Sequence, residues 1–434
     1  MFPRAEAALQ SRDRQGAVTL RWLAITLIVL SSSLNYLDRQ LLAAAAPSVQ
    51  SEFHLNNAQY GQIVSAFSLV YGIMAPFAGV FIDRVGLNAG VSSAVALWSL
   101  ASVSTGLVRT FPALLTTRAV LGMAESAGIP NSGKANATYL KSSELALGTG
   151  LNQIGISLGA IAAPLIMAAL APLYGWRSGF IVSGVLGLLW IPLWRSMARR
   201  GPAGPVTGAS APAASSARAG LTATLPACTE ASTPPAAPPT IKNILRDRRF
   251  WGLVVTTLFI MTLYTLWSNW MTLYFVHERH MTQDEANRQF AWIPPVFAGL
   301  GGLSGGAIMY RWINRGMNVI RARLRLCTTA AAILLLTAAI PLAPTSGIAA
   351  AAISLSFFFS VALSGAVYAL PIDLFGPARA GFSVAALTCA YGWMQTLLSP
   401  LIGGTVDRFG FSAVCVSLSF TPLLGVAILR FSLR

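Results

Sequence analysis

Apolar residues recur in this chain in blocks of about 20, the length an α-helix needs to cross a bilayer. In hydrocarbon every backbone N–H and C=O must find its partner within the segment, so each block has to be helical. Twelve blocks are read, at 20–46, 58–80, 89–108, 112–132, 146–171, 178–198, 250–275, 289–311, 324–343, 347–371, 381–402 and 411–431. Hydrophobic residues make up 55% of 434 positions and charged residues 10%, against roughly 25% charge in a soluble domain. The expected fold is an all-α polytopic membrane protein, twelve transmembrane helices arranged as two six-helix halves.

The net charge of +16 raises the question of nucleic acid, but its distribution follows membrane topology instead. Of 30 basic residues, 23 fall on the side that carries both termini and 5 on the other. Lys and Arg accumulate on the cytoplasmic side, so both termini are expected there, in the inner membrane of a cell. Residues 1–19, with Arg4, Arg12 and Arg14, read as a cytoplasmic tail, not a cleaved signal. Residues 201–241 are rich in Pro, Ala, Ser, Thr and Gly and read as a disordered cytoplasmic linker. They separate a first half, 20–200, from a second, 242–434. Cys228, Cys327, Cys389 and Cys415 show no paired spacing, so neither a metal nor a disulfide framework is indicated. His54, His277 and His280 lie in loops, and no nucleophile–base spacing occurs in the spans, which argues against an enzyme and against a cofactor.

Four charges remain inside the membrane, Asp38, Arg39, Arg118 and Glu125, all in the first half. Ionised groups at that depth face a bundle interior or a watery cavity and mark functional sites. Arg118 and Glu125 are seven apart and share one face of the fourth span, about 10 Å apart along its axis. If the first span ends at Pro47 and the fourth begins at Pro112, Arg39 and Arg118 both lie about 9–12 Å from the outer surface. Two guanidiniums on a cavity make an anion site, because Arg stays charged and grips a carboxylate with a planar fork. Two carboxyls beside them can exchange protons unless an arginine holds them ionised. Glu125 is expected to alternate between a proton and Arg118. The bland alternative is a closed lattice, Asp38 with Arg118 and Arg39 with Glu125, that only pins helices together.

After the second span comes Gly79-Val80-Phe81-Ile82-Asp83-Arg84-Val85-Gly86-Leu87-Asn88. This resembles the loop of the major facilitator superfamily, although Leu87 and Asn88 stand where basic residues are usual. Weaker echoes occur at 306–316 and at Gly404-Thr405-Val406-Asp407-Arg408-Phe409-Gly410. With Asn35-Tyr36-Leu37-Asp38-Arg39, Ser65-Ala66-Phe67-Ser68-Leu69-Val70-Tyr71 and Arg118 with Glu125, the first half resembles the anion:cation symporter branch of that superfamily, the bacterial sugar-acid and hexuronate transporters.

That resemblance implies proton-coupling roles for Asp38 and Glu125 and a gating role for Gly79, Asp83, Arg84 and Gly86. It places Arg39, Arg118, Tyr71 and Tyr36 around the substrate anion, with Asn152 and Gln153 from the fifth span. In the second half, Trp267, Asn269, Ser364, Tyr391 and Gln395 are the candidates for the rest of the substrate, beside Tyr264 and Tyr368. The expected function is proton-coupled uptake of a small organic anion by alternating access of the halves, the protein acting as a monomer in the lipid bilayer without nucleic acid. An exporter, a carrier of monocarboxylates or aromatic acids, and a transport-fold ligand sensor are the alternatives.

Overall fold

A computed structural model of the chain describes residues 3–141, 144–200 and 241–433. The linker expected at 201–241 lies, apart from its last residue, outside the described residues. The first half comprises α1 (Pro3–Phe53), α2 (Asn57–Val85), α3 (Leu87–Thr105), α4 (Phe111–Glu125), α5 (Gly128–Tyr139), α6 (Leu145–Tyr174) and α7 (Arg177–Arg200). The second comprises α8 (Ile241–Arg246), α9 (Arg248–Ile260), α10 (Thr262–Arg279), α11 (Gln283–Ala286), α12 (Ile293–Asn314), α13 (Val319–Leu334), α14 (Ser346–Phe375), α15 (Pro377–Ser419) and α16 (Thr421–Ser432).

Ten helical stretches are long and apolar enough to cross a membrane, and two local features reconcile that number with twelve spans. The fourth span is broken between Glu125 and Gly128, so neither α4 nor α5 is long enough alone. The eleventh and twelfth run together from Phe382 to Ser432, kinked at Gly410. Its φ of 73° is a left-handed conformation that glycine adopts without a Cβ clash. Pro47 does not end the first span, which continues two turns to Phe53. Arg39 therefore lies 14 residues from that end, about 21 Å in, deeper than the sequence spacing suggested.

Close helix contacts rest on small residues, as is common between membrane helices. Gly155 and Gly159 of α6, one turn apart, lie against the carbonyls of Val29 and Ser33 in α1. Gly122 of α4 lies against the Phe67 carbonyl of α2. The halves meet mainly along α2 and α15, where Gly61 touches Ser399, Gly72 touches Gly392 and Gly403 touches Asn57.

Hydrogen bonds between the halves cluster from Gly72 toward the end that carries Asn56. Cys389 Sγ reaches Gly72 O, Ser65 Oγ donates to Thr396 O, and Tyr60 Oη donates to Asn269 O. Gln283 Oε1 accepts from Ser48 N and Oγ, and Asn287 Nδ2 donates to Ala44 O. Asp407 Oδ1 accepts from Asn57 N and Nδ2, and its Oδ2 from Ala58 N. Asp407 thus takes up first-turn N–H groups of α2 that have no partner within the helix, while Asn56 caps Gln59 N from within the same half. The bundle is closed at the Asn56 end.

A Cβ at Gly159 would sit 2.1 Å from Ser33 O, whereas one at Gly79 would meet nothing within 4 Å. Gly159→Ala should therefore cost about 1–3 kcal/mol and lower the melting midpoint of the purified protein. Gly79→Ala should stay within about 0.5 kcal/mol of the parent. Equal midpoints for the two variants would mean that α1 and α6 do not pack this closely.

Candidate functional site

The Gly122 contact between α4 and α2 and the glycine pair between α6 and α1 bring three helices around the Asn35–Arg39 stretch. Arg39 Nε and Nη2 both donate to Glu125 Oε2, at 3.2 and 3.0 Å. Three rings surround the same guanidinium, with centroids 4.9 Å away for Tyr36, 4.7 Å for Phe67 and 4.8 Å for Tyr71. Cation–π attraction of this kind reaches about 2 kcal/mol when desolvated, so the cage fixes the guanidinium plane. The Glu125 side chain is fully buried, but that of Arg39 keeps 20% exposure.

The second acid–base pair is open. Asp38 and Arg118 are both buried, each at 1% exposure, yet they form no salt bridge with each other. Asp38 Oδ1 lies 2.5 Å from Ser102 Oγ; its Oδ2 makes no hydrogen bond among the described residues, although the Ser183 hydroxyl of α7 also acts on this carboxylate. Arg118 stacks on Phe180, 4.8 Å from its centroid, and its Nε and Nη2 are likewise without a partner. Glu125 Oε1 is unpartnered too. Half of the closed lattice is therefore present, Arg39 with Glu125, and half is not. The arginine that holds Glu125 is Arg39 rather than Arg118.

The remaining candidates are placed as follows. Asn152 Oδ1 accepts from Ser32 Oγ at 2.6 Å, one helical turn from Tyr36, and Gln153 is exposed on α6. Tyr391 packs at 6.3 Å against Tyr264, which packs at 5.3 Å against Phe357. Tyr264, Tyr368 and Tyr391 lie within electrostatic range of Tyr36, and Tyr264 and Tyr391 also within range of Arg39. Gln395 is half-buried on α15. The structure turns three others to partners elsewhere. The Trp267 indole is fully buried and donates to Ser356 Oγ, Asn269 Nδ2 donates to Thr265 O, and Ser364 Oγ donates to Val361 O of its own helix.

In the Gly79–Gly86 stretch, Gly86 has φ 83° and ends α2. Lys134 of α5 donates to Ile82 O at 2.8 Å and to Asp83 Oδ1 at 3.0 Å. Arg84 lies in the last turn of α2. Sequence reasoning did not single out Lys134, Ser102 or Phe180. A lone serine or phenylalanine in an apolar span carries no periodic signal, and Lys134 was counted only as a topological charge.

Chemically, the cluster holds a caged guanidinium whose Nε–Nη2 edge is occupied by a carboxylate, beside a second buried guanidinium with free donors. A buried charge that loses its partner is costly, so an anion on Arg39 and an ionised Glu125 compete for one fork.

Twelve spans in two halves around a mid-depth charge cluster define a secondary-transporter architecture. The chain belongs to the Major Facilitator Superfamily, which its residues 28–392 match. It is 29% identical over 424 residues to the hexuronate transporter of Escherichia coli (strain K12), covering 94% of this chain and 93% of that one. It is 28% identical over 297 residues to the galacturonate transporter of Dickeya chrysanthemi, covering 66% and 81%. These relatives are transporters, not enzymes. Among solved structures, a bacterial homologue of the human lysosomal transporter Spinster, inward-facing and unoccupied, superposes with a TM-score of 0.70 at 17% identity, covering 95% of both chains. At that identity the likeness concerns the fold.

Removing Glu125 leaves a caged cation without its carboxylate. Glu125→Ala should cost about 3 kcal/mol or more, read as a lowered melting midpoint. Glu125→Gln, which still offers an acceptor to the guanidinium, should cost less than half as much. Glu125→Ala melting like the parent would show that the ion pair is not formed in the membrane-embedded protein.

Proposed function

We propose that the chain is a proton-coupled importer of a small organic anion, working as a monomer by alternating access of its two halves. One observation carries this reading: Arg39 Nε and Nη2 both bind the same Glu125 oxygen. A substrate carboxylate that takes this edge must displace Glu125, and Glu125 can leave a cation in a dry setting only by taking up a proton. Proton and anion then bind together. When the proton leaves, Glu125 reclaims Arg39 and the anion is expelled. Asp38, buried with an unpartnered oxygen beside α3 and α7, is the second proton carrier, and Arg118 completes the anion field.

Sugar acids of the hexuronate class are the first substrates to test, because the relatives reported above are hexuronate and galacturonate transporters. The rings of Tyr264, Phe357 and Tyr391 on the second half favour an aromatic carboxylate as the second class. With the charge bias placing both termini in the cytoplasm of an inner-membrane protein, the closed Asn56 end is the outer one, and the described state opens inward.

Glu125→Gln mimics the protonated acid. In proteoliposomes loaded with unlabelled D-galacturonate it should still exchange labelled substrate, but it should lose accumulation driven by a pH gradient. Full pH-driven accumulation by Glu125→Gln would remove Glu125 from the coupling path and leave Asp38 as the sole carrier.

A further inference from the structure

Ser102 of α3 occupies an unusual position in the buried charge cluster. Its hydroxyl has one hydrogen and two acceptors in reach, Asp38 Oδ1 at 2.5 Å and the Phe180 carbonyl oxygen of α7 at 3.1 Å. Ser102 is fully buried and Asp38 nearly so, at 0% and 1% exposure, so the choice between acceptors is made inside the protein. A hydroxyl is a donor and an acceptor at once, whereas a carboxylate only accepts and a carboxylic acid also donates.

We propose that Ser102 is a positioning residue for the proton step on Asp38, keeping that side chain hydrogen-bonded in both of its protonation states. With Asp38 ionised, Ser102 donates to Oδ1. When a proton adds to Asp38, the new O–H donates to Ser102 Oγ, and the serine hydrogen rotates to the Phe180 carbonyl. No proton passes through Ser102; the only transfer is between Asp38 and water, and the serine keeps its own hydrogen. The inference rests on the reading of Asp38 as a proton carrier and extends it to the group that makes both of its states tolerable at this depth.

An orphaned polar group in such a setting is destabilising. Ser183 of α7 also acts on the Asp38 carboxylate, but of the two hydroxyls only Ser102 has, among the described residues, a carbonyl acceptor, Phe180 O, within reach to take its hydrogen when Asp38 is protonated. The charged groups facing Asp38 are Arg118 and Glu125, both from α4. Phe180 links the two sides of the device, since its carbonyl receives the serine hydrogen and its ring carries Arg118. Proton occupancy of Asp38 is thereby registered on the residue that supports the free guanidinium.

The test needs no substrate. Infrared difference spectra of the purified protein between acid and neutral buffer should contain a protonated-carboxyl C=O band that disappears in Asp38→Asn. In Ser102→Ala that band should move to higher frequency, because its O–H has lost its acceptor, and its pH midpoint should shift. Ser102→Thr should return both to the parent values. Ser102→Cys, a weak donor and acceptor, should fall between them and serves if the alanine variant does not fold. An Asp38 band present but unmoved by alanine or cysteine would overturn the role of Ser102. The absence of any Asp38 band in the parent would overturn the proton-carrier reading, and the positioning role of Ser102 with it. As a functional readout, pH-driven uptake of D-galacturonate should fall about tenfold in Ser102→Ala, equivalent to ~1.4 kcal/mol, and recover in Ser102→Thr.

Discussion

The Arg39–Glu125 pair sets the terms for the rest of the molecule. A guanidinium cannot shed its charge, so a membrane helix that carries one near mid-depth must supply a carboxylate, a polarisable surround and a path to water. Glu125 supplies the first and the Tyr36, Phe67 and Tyr71 rings the second, while the Arg39 side chain keeps 20% exposure. Each requirement then fixes a helix contact. Glu125 is in reach only because Gly122 lets α4 approach α2, and α1 is held by Gly155 and Gly159 of α6. Enlarging any of these glycines would act on the ion pair without touching a charge.

The same pair links chemistry to motion. Tyr71 stacks on Arg39, and the next residue, Gly72, meets Gly392 of the other half, directly after Tyr391. This crossing is the last point of close contact before the seam closes toward Asn57 and Asp407. Under the proposed alternating access, a change in what Arg39 holds would act one residue from this crossing of the halves. The seam combines a buried bond, Asn287 to Ala44, and half-buried bonds within helices at Tyr60, Ser65 and Cys389 with half-buried or exposed ones from the first turn of α2 to Asp407. A neutral bond of this kind is worth about 1 kcal/mol net.

The twelve spans and the four intramembrane charges were legible in the sequence because both follow from the cost of polar groups in hydrocarbon. Their pairing was legible only as an alternative: Arg39 with Glu125 is one half of the closed lattice, whereas the partner expected for Glu125 is Arg118. In a helix that is apolar nearly all round, periodicity does not reveal which way Asp38 and Arg39 face, and adjacent residues point about 100° apart. One consequently meets Ser102 and the other Glu125. The spacing puts Arg39 too near the outer surface because Pro47 reads as a terminus, whereas its missing N–H is tolerated within α1. The break after Glu125 does carry a signal, Gly128 and Pro130, since Pro130 has no N–H for the Ser126 carbonyl and its ring crowds that group. Prolines inside membrane spans are nevertheless common enough that span four reads as continuous. Trp267 and Asn269 illustrate the limit for aromatic and amide residues: nothing in their spacing distinguishes a cavity wall from an internal hydrogen bond to Ser356 or Thr265.

The central claim is that Glu125 and a substrate carboxylate compete for Arg39, with a proton settling the outcome. Proton uptake on binding tests it directly, measured with a pH indicator in weakly buffered detergent solution as the sugar acid that stabilises the protein in a thermal screen is added. The account predicts that the parent takes up protons as the anion binds and that Glu125→Gln binds the same anion with that uptake lost. Equal proton uptake by the two proteins, or binding by the parent with none, would contradict it.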